Sequence, residues 1–147
     1  GWNSAAAALL TDYALLPPDG RNILRLMFVG GRGRSRNKDW ESVARFVVGA
    51  FRADMTRAGA CGSADATRLV EELRRLSPEF DTLWRDNDVA AHGEGVKRLR
   101  HPQAGLVKLE FSSFAADGRP DLGMIVYNPV TGADADKIRL LVEARAG

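Results

Sequence analysis

The 147-residue chain carries 45% hydrophobic residues, enough for one domain with a packed core and too many for general disorder. Its 21 basic and 19 acidic side chains leave a formal net charge of +2, which excludes the concentrated basic face of a free-standing nucleic-acid binder. A single cysteine, Cys61, excludes an intramolecular disulfide and fits a reducing cytoplasm, and no apolar run of about 18 residues is present to span a membrane.

In chain order, Gly1-Trp2-Asn3 has neither the charged nor the apolar region of a signal peptide, and the start at Trp2 reads as that of a fragment. Residues 4–16, rich in alanine, predict a helix with Ser4 as its cap, broken by Pro17-Pro18-Asp19-Gly20. Ile23, Leu24, Met27 and Phe28 share one face of a short second helix, and the glycine- and arginine-rich stretch 30–38 predicts a loop. From Asp39 as cap, Trp40, Val43, Ala44, Val47, Phe51 and Met55 form the apolar stripe of a long helix to about Ala58. After a turn at 59–63, Ser63 caps a helix in which Ala66, Leu69, Val70, Leu73 and Leu76 repeat at helical spacing. Ser77-Pro78 is a cap followed by proline at the first helical position, and the helix it opens sets Phe80, Leu83 and Trp84 on one side.

The period then changes from helical to alternating. Val107, Leu109 and Phe111 alternate with Lys108, Glu110 and Ser112, the pattern of a half-buried strand. Asp117-Gly118-Arg119-Pro120 predicts a hairpin-type connection to a second strand over Leu122–Tyr127. Residues 96–101 suggest a less regular strand, since neither face is cleanly apolar. Asp134 is read as opening a closing helix with Ile138, Leu141 and Val142. Helices first, an antiparallel sheet second and a terminal helix make an α+β plan, read as one domain over residues 1–147.

Catalytic and metal chemistry find little footing. Gly30-Gly31-Arg32-Gly33-Arg34-Ser35 lacks the Gly-Lys-Ser/Thr ending of a phosphate loop and follows no convincing strand. Its arginines have two alternative readings, a solvated loop or contacts to DNA phosphates or a neighbouring domain. Cys61 lies in a small-residue turn with no assignable base, and Asp86 and Asp88 near His92 read as a charged helix end. His92, His101 and Cys61 show no metal-ligand spacing. The chain is read as non-enzymatic, without cofactor or metal.

The order Trp2-Asn3, Arg21-Asn22-Ile23-Leu24, Leu26-Met27-Phe28, Asp39-Trp40-Glu41, Ser77-Pro78-Glu79-Phe80, Leu83-Trp84, Asp88-Val89, Lys97 with Arg100-His101-Pro102, Gly105 and Val126-Tyr127 resembles the effector-binding domain of MmyB-like regulators in the XRE helix-turn-helix superfamily. The resemblance runs from Trp2 to about Leu141. It implies a PAS-like domain, an antiparallel sheet packed with several helices around an apolar pocket. The implied ligand is a small hydrophobic effector, fatty-acid-like or butenolide-like, acting on a homodimer in a bacterial cytoplasm. The DNA-binding helix-turn-helix domain and most of a first sheet strand would precede Trp2, so DNA would be reached only through that separate domain.

A pocket of at least about 300 Å³ with a few polar anchors is what such a role requires. Trp40, Val43, Val47, Phe51, Phe80, Trp84, Leu109, Phe111, Ile125 and Tyr127 are the expected lining. Arg45, His101 and Tyr127 are the expected head-group contacts, arginine because it can grip a carboxylate with two hydrogen bonds. For any one aromatic, ordinary core packing is the simpler explanation. The alternative role is a PAS-like interaction or dimerisation module with a filled interior and no ligand.

Overall fold

The computed structural model describes residues 1–57, 59, 63–86 and 94–147. Cys61, Asp88, Val89 and His92 lie outside the described residues. Among the described residues, six α-helices precede the sheet: α1 (Ser4–Leu9), α2 (Ile23–Phe28), α3 (Arg32–Arg36), α4 (Trp40–Arg57), α5 (Ala64–Leu76) and α6 (Pro78–Arg85). Strands β1 (Glu94–His101), β2 (Gly105–Ala116) and β3 (Arg119–Pro129) pair antiparallel in the order β1-β2-β3, and α7 (Gly132–Ala146) closes the chain. This is an α+β fold, and its one-sided helical cover is compatible with a PAS-like plan. No helix among the described residues is long and apolar enough to cross a membrane.

Local capping chemistry sets several of these boundaries. Ser63 and Ser77 accept hydrogen bonds from the Ala66 and Phe80 amides, starting α5 and α6 where polar cap residues are expected. Elsewhere the cap precedes the expected residue, by one position at α1 and by three at α7. The Asn3 side chain, not Ser4, accepts from the Ala6 amide, and α1 stops at Leu9, with a 3₁₀ turn at Tyr13–Leu15 instead of a continuous helix. Thr131, not Asp134, caps α7, while the Asp134 carboxylate accepts from the Thr131 hydroxyl and from the Lys108 amide of β2. Asp134 therefore ties the closing helix to the sheet. Gly105 and Gly118 supply the positive φ that the two hairpin connections need.

The arginine-rich stretch is not a loop. Residues 32–36 form α3, held so close to α2 that a Cβ on Gly33 would lie 2.6 Å from the Met27 Cα. Arg36 donates to the Leu9 and Leu10 carbonyls at 2.8 and 2.6 Å, capping the C-terminal end of α1 with a cation. Arg34 pairs with Glu79 and lies 4.4 Å from the centre of the Trp40 ring. Intramolecular partners thus absorb charges that the composition alone left open.

Two apolar cores follow. Leu24, Met27 and Phe28 of α2, Val43, Ala44, Val47 and Val48 of α4, Val70 and Leu73 of α5, and Phe80 and Leu83 of α6 form the helical core. Leu99, Val107 and Leu109 on one sheet face pack with Leu9 of α1 and Leu141 of α7. Each fully buried aliphatic or aromatic side chain contributes about 1.5–3 kcal/mol. The segment between α3 and α4 joins the two layers: Asn37 bridges to Leu99, the Lys38 amide donates to the Arg98 carbonyl at 3.1 Å, and Asp39 pairs with Arg98. The inner sheet face is covered by α1 and α7 at one end and crossed by α4 at the other, leaving a cavity between α4 and the sheet that is open on one side.

Candidate ligand-binding site

Helix α4 has two apolar faces. Val43, Phe46, Val47, Ala50, Phe51 and Asp54, spaced at three and four residues, line a cavity of about 520 Å³ against the sheet. On the sheet side, Gly95 and Lys97 of β1, Phe111 of β2, and Ile125 and Tyr127 of β3 complete the wall. The register explains the grouping, because Gly95 and Tyr127 both pair with Phe111 on the face that points toward the helices. Phe46 meets Phe111 with ring centres 4.5 Å apart, and Phe111 meets Tyr127 at 6.3 Å. Gly95 makes this possible: a Cβ there would stand 2.8 Å from the Phe111 Cζ.

Of the side chains expected at the site, Val43, Val47, Phe51, Phe111, Ile125 and Tyr127 come together in this wall, with Arg45 at its rim. The others lie elsewhere. Trp40 donates its indole N–H to the Met27 carbonyl at 3.2 Å and packs edge-on against Phe28. Phe80 is fully buried between Phe28 and Trp84, and Trp84 stacks on it beneath the Arg52 guanidinium. These three aromatics belong to the helical core and are not among the residues that line the cavity. Leu109 is 1% exposed and belongs to the core under α1 and α7.

His101 also serves the fold. Its Nδ1 accepts from the Gln103 and Ala104 amides at 3.2 and 3.3 Å, so Nε2 carries the proton and donates to the Ala8 carbonyl at 3.2 Å. Burial, reinforced by the Arg36 charge, holds its pKa below 6.5. A histidine whose folded pKa is depressed favours folding when neutral, and that contribution is lost as pH falls from the unfolded value through the folded one. Thermal melts between about pH 7.5 and about pH 5 should show the wild-type chain losing more stability than His101→Gln. A difference between the two that stays flat with pH would count against this role.

The polar groups of the cavity differ in how they are engaged. Arg45 is shared between Asp86 at 3.0 Å and Glu41 at 3.5 Å. Asp54 pairs with Arg57. Burial pushes the Tyr127 phenol up to about 12, so it stays a neutral hydrogen-bond donor at physiological pH. Lys97, which alternation alone did not single out, lies 9% exposed in the cavity wall. Phe46 and Ala50 were also missed, although three- and seven-residue spacing from Val43 places them on its face.

A partly open, mostly apolar space with a few polar groups suits a small, largely hydrophobic molecule. No curated protein matches the chain. Residues 1–141 match the MmyB-like transcription regulator ligand binding domain, and the chain belongs to that family.

Proposed function

We propose that this chain is the effector-sensing domain of a DNA-binding transcription regulator, taking a small hydrophobic molecule of fatty-acid-like or butenolide-like character. The observation that carries the reading is the cavity of about 520 Å³ between α4 and the sheet, within the range of small-molecule sites. Helix α4 supplies the coupling. One of its faces lines the cavity while Ala44 and Val48 pack into the helical core, so a ligand that prefers one placement of α4 shifts the population of the whole helical layer. In the working protein this shift would alter operator affinity through a helix-turn-helix domain outside the chain. The regulator would act as a homodimer in the cytoplasm, matching two operator half-sites.

A second reading, a constitutive interaction module, has one observation in its favour. Phe114 and Met124, partners in the β2–β3 register, are 50% and 56% exposed on the sheet, with Leu122 nearby at 46%. Native mass spectrometry with organic extraction, followed by thermal melts with fatty acids and small lactones, separates the two. A stoichiometric lipid-like or lactone-like mass, or a raised melting temperature, is the expected result. An empty protein indifferent to the whole panel would favour the interaction module.

A further inference from the structure

Lys97 extends the cavity reading, on which this inference rests, to the chemistry of the ligand. In β1 it pairs with Leu109, and with Leu99 it belongs to the inner set of the alternation. Long, charged side chains are almost never this deeply buried without a partner. Yet among the described residues its ammonium meets neither a carboxylate nor a hydrogen-bond acceptor, its recorded contact being the Tyr127 ring, 5.7 Å away. A cation this deeply set in an apolar wall is poorly hydrated and has no counter-charge beside it, and an anion entering the cavity would offset that cost.

The surrounding charges leave this role to Lys97. Arg45 is already bound to Glu41 and Asp86, and the Asp54 carboxylate is bound to Arg57. Glu94 stands exposed at the start of the strand. Arg36 adds positive potential at Lys97 while its own N–H groups hold the α1 carbonyls. Burial, with that added repulsion, brings the Lys97 ammonium down to about 8, which leaves it mostly charged at neutral pH. The Tyr127 ring lies in the same wall, its π face toward the ammonium.

We infer that Lys97 is the counter-ion for the ionised head group of an amphiphilic carboxylic acid, whose apolar tail lies along Phe46, Phe51 and Phe111. A neutral lactone would leave the ammonium unpaired, so the cavity selects for acids.

Calorimetric titration with decanoate, 1-decanol and methyl decanoate tests this, on the wild-type chain, Lys97→Met and Lys97→Gln. The wild-type chain should prefer decanoate over the alcohol and the ester by roughly tenfold or more, as a charge-assisted contact implies. Both substitutions should erase that preference while keeping affinity for the alcohol. Equal wild-type affinity for all three compounds overturns the assignment, and so does a preference that survives in Lys97→Met or Lys97→Gln. Failure of all three to bind the wild-type chain overturns the cavity reading itself, and the Lys97 role with it. Should neither variant fold, the wild-type comparison of acid with ester still decides.

Discussion

Replacing Phe80 by alanine is expected to cost about 3–5 kcal/mol, the range for removing a fully buried aromatic. Phe80 is 0% exposed, meets Phe28 edge-to-face at 5.2 Å and stacks on Trp84 at 5.7 Å, so truncation removes a large buried ring and breaks up a row of aromatics. The row joins three elements, because Phe28 comes from α2, Phe80 and Trp84 from α6, and Phe51, which packs on Trp84, from α4. Against a typical domain stability of about 5–15 kcal/mol, this leaves a marginal or unfolded chain. Urea denaturation is the measurement. A loss below about 1 kcal/mol would mean that the helical layer is not organised around this residue.

Filling the cavity should have the opposite signature, lost binding with a retained fold. Ala50 lies half-buried on the cavity face of α4, one turn from Phe46 and Asp54. Ala50→Trp places an indole in the space of about 520 Å³ without removing any contact of the helical core, so its helix keeps its packing. Affinity for a cavity ligand should fall by at least roughly tenfold as the substituted ring competes for the same volume, while far-ultraviolet circular dichroism stays unchanged. Unchanged affinity in a folded Ala50→Trp protein would place the ligand elsewhere. The two substitutions test separate halves of one helical layer, and α4 is the element they share.

Trp40, Phe80 and Trp84 show why composition alone misplaces a site. Large aromatics suit a ligand wall and a packed core equally well, and only their neighbours distinguish the two uses. The Met27 carbonyl that receives the Trp40 indole N–H comes from α2, thirteen residues earlier, and no local pattern announces that partner. His101 is similar. A histidine before proline at a strand end reads as a candidate anchor, yet its ring is spent on the following turn and on α1. Val43, Val47, Phe51, Phe111 and Tyr127 were legible because helical and alternating periodicity put them on inward faces, and inward is where a cavity must lie.

By itself the sequence determined the α+β order, the Ser63 and Ser77 helix starts, the α4 stripe and the strand alternation around Leu109, all consequences of local capping and of side-chain period. The tertiary structure decided which apolar face of α4 turns to the core and which to empty space, since a one-dimensional pattern marks a side chain as inward without saying what it meets. It also decided the fate of the charges. Arg36 closes α1, Arg98 joins β1 to Asp39, and Lys97 is left in the cavity wall without a counter-ion among the described residues. Such pairings link residues tens of positions apart, and the energy of a buried charge depends on the partners that folding brings to it.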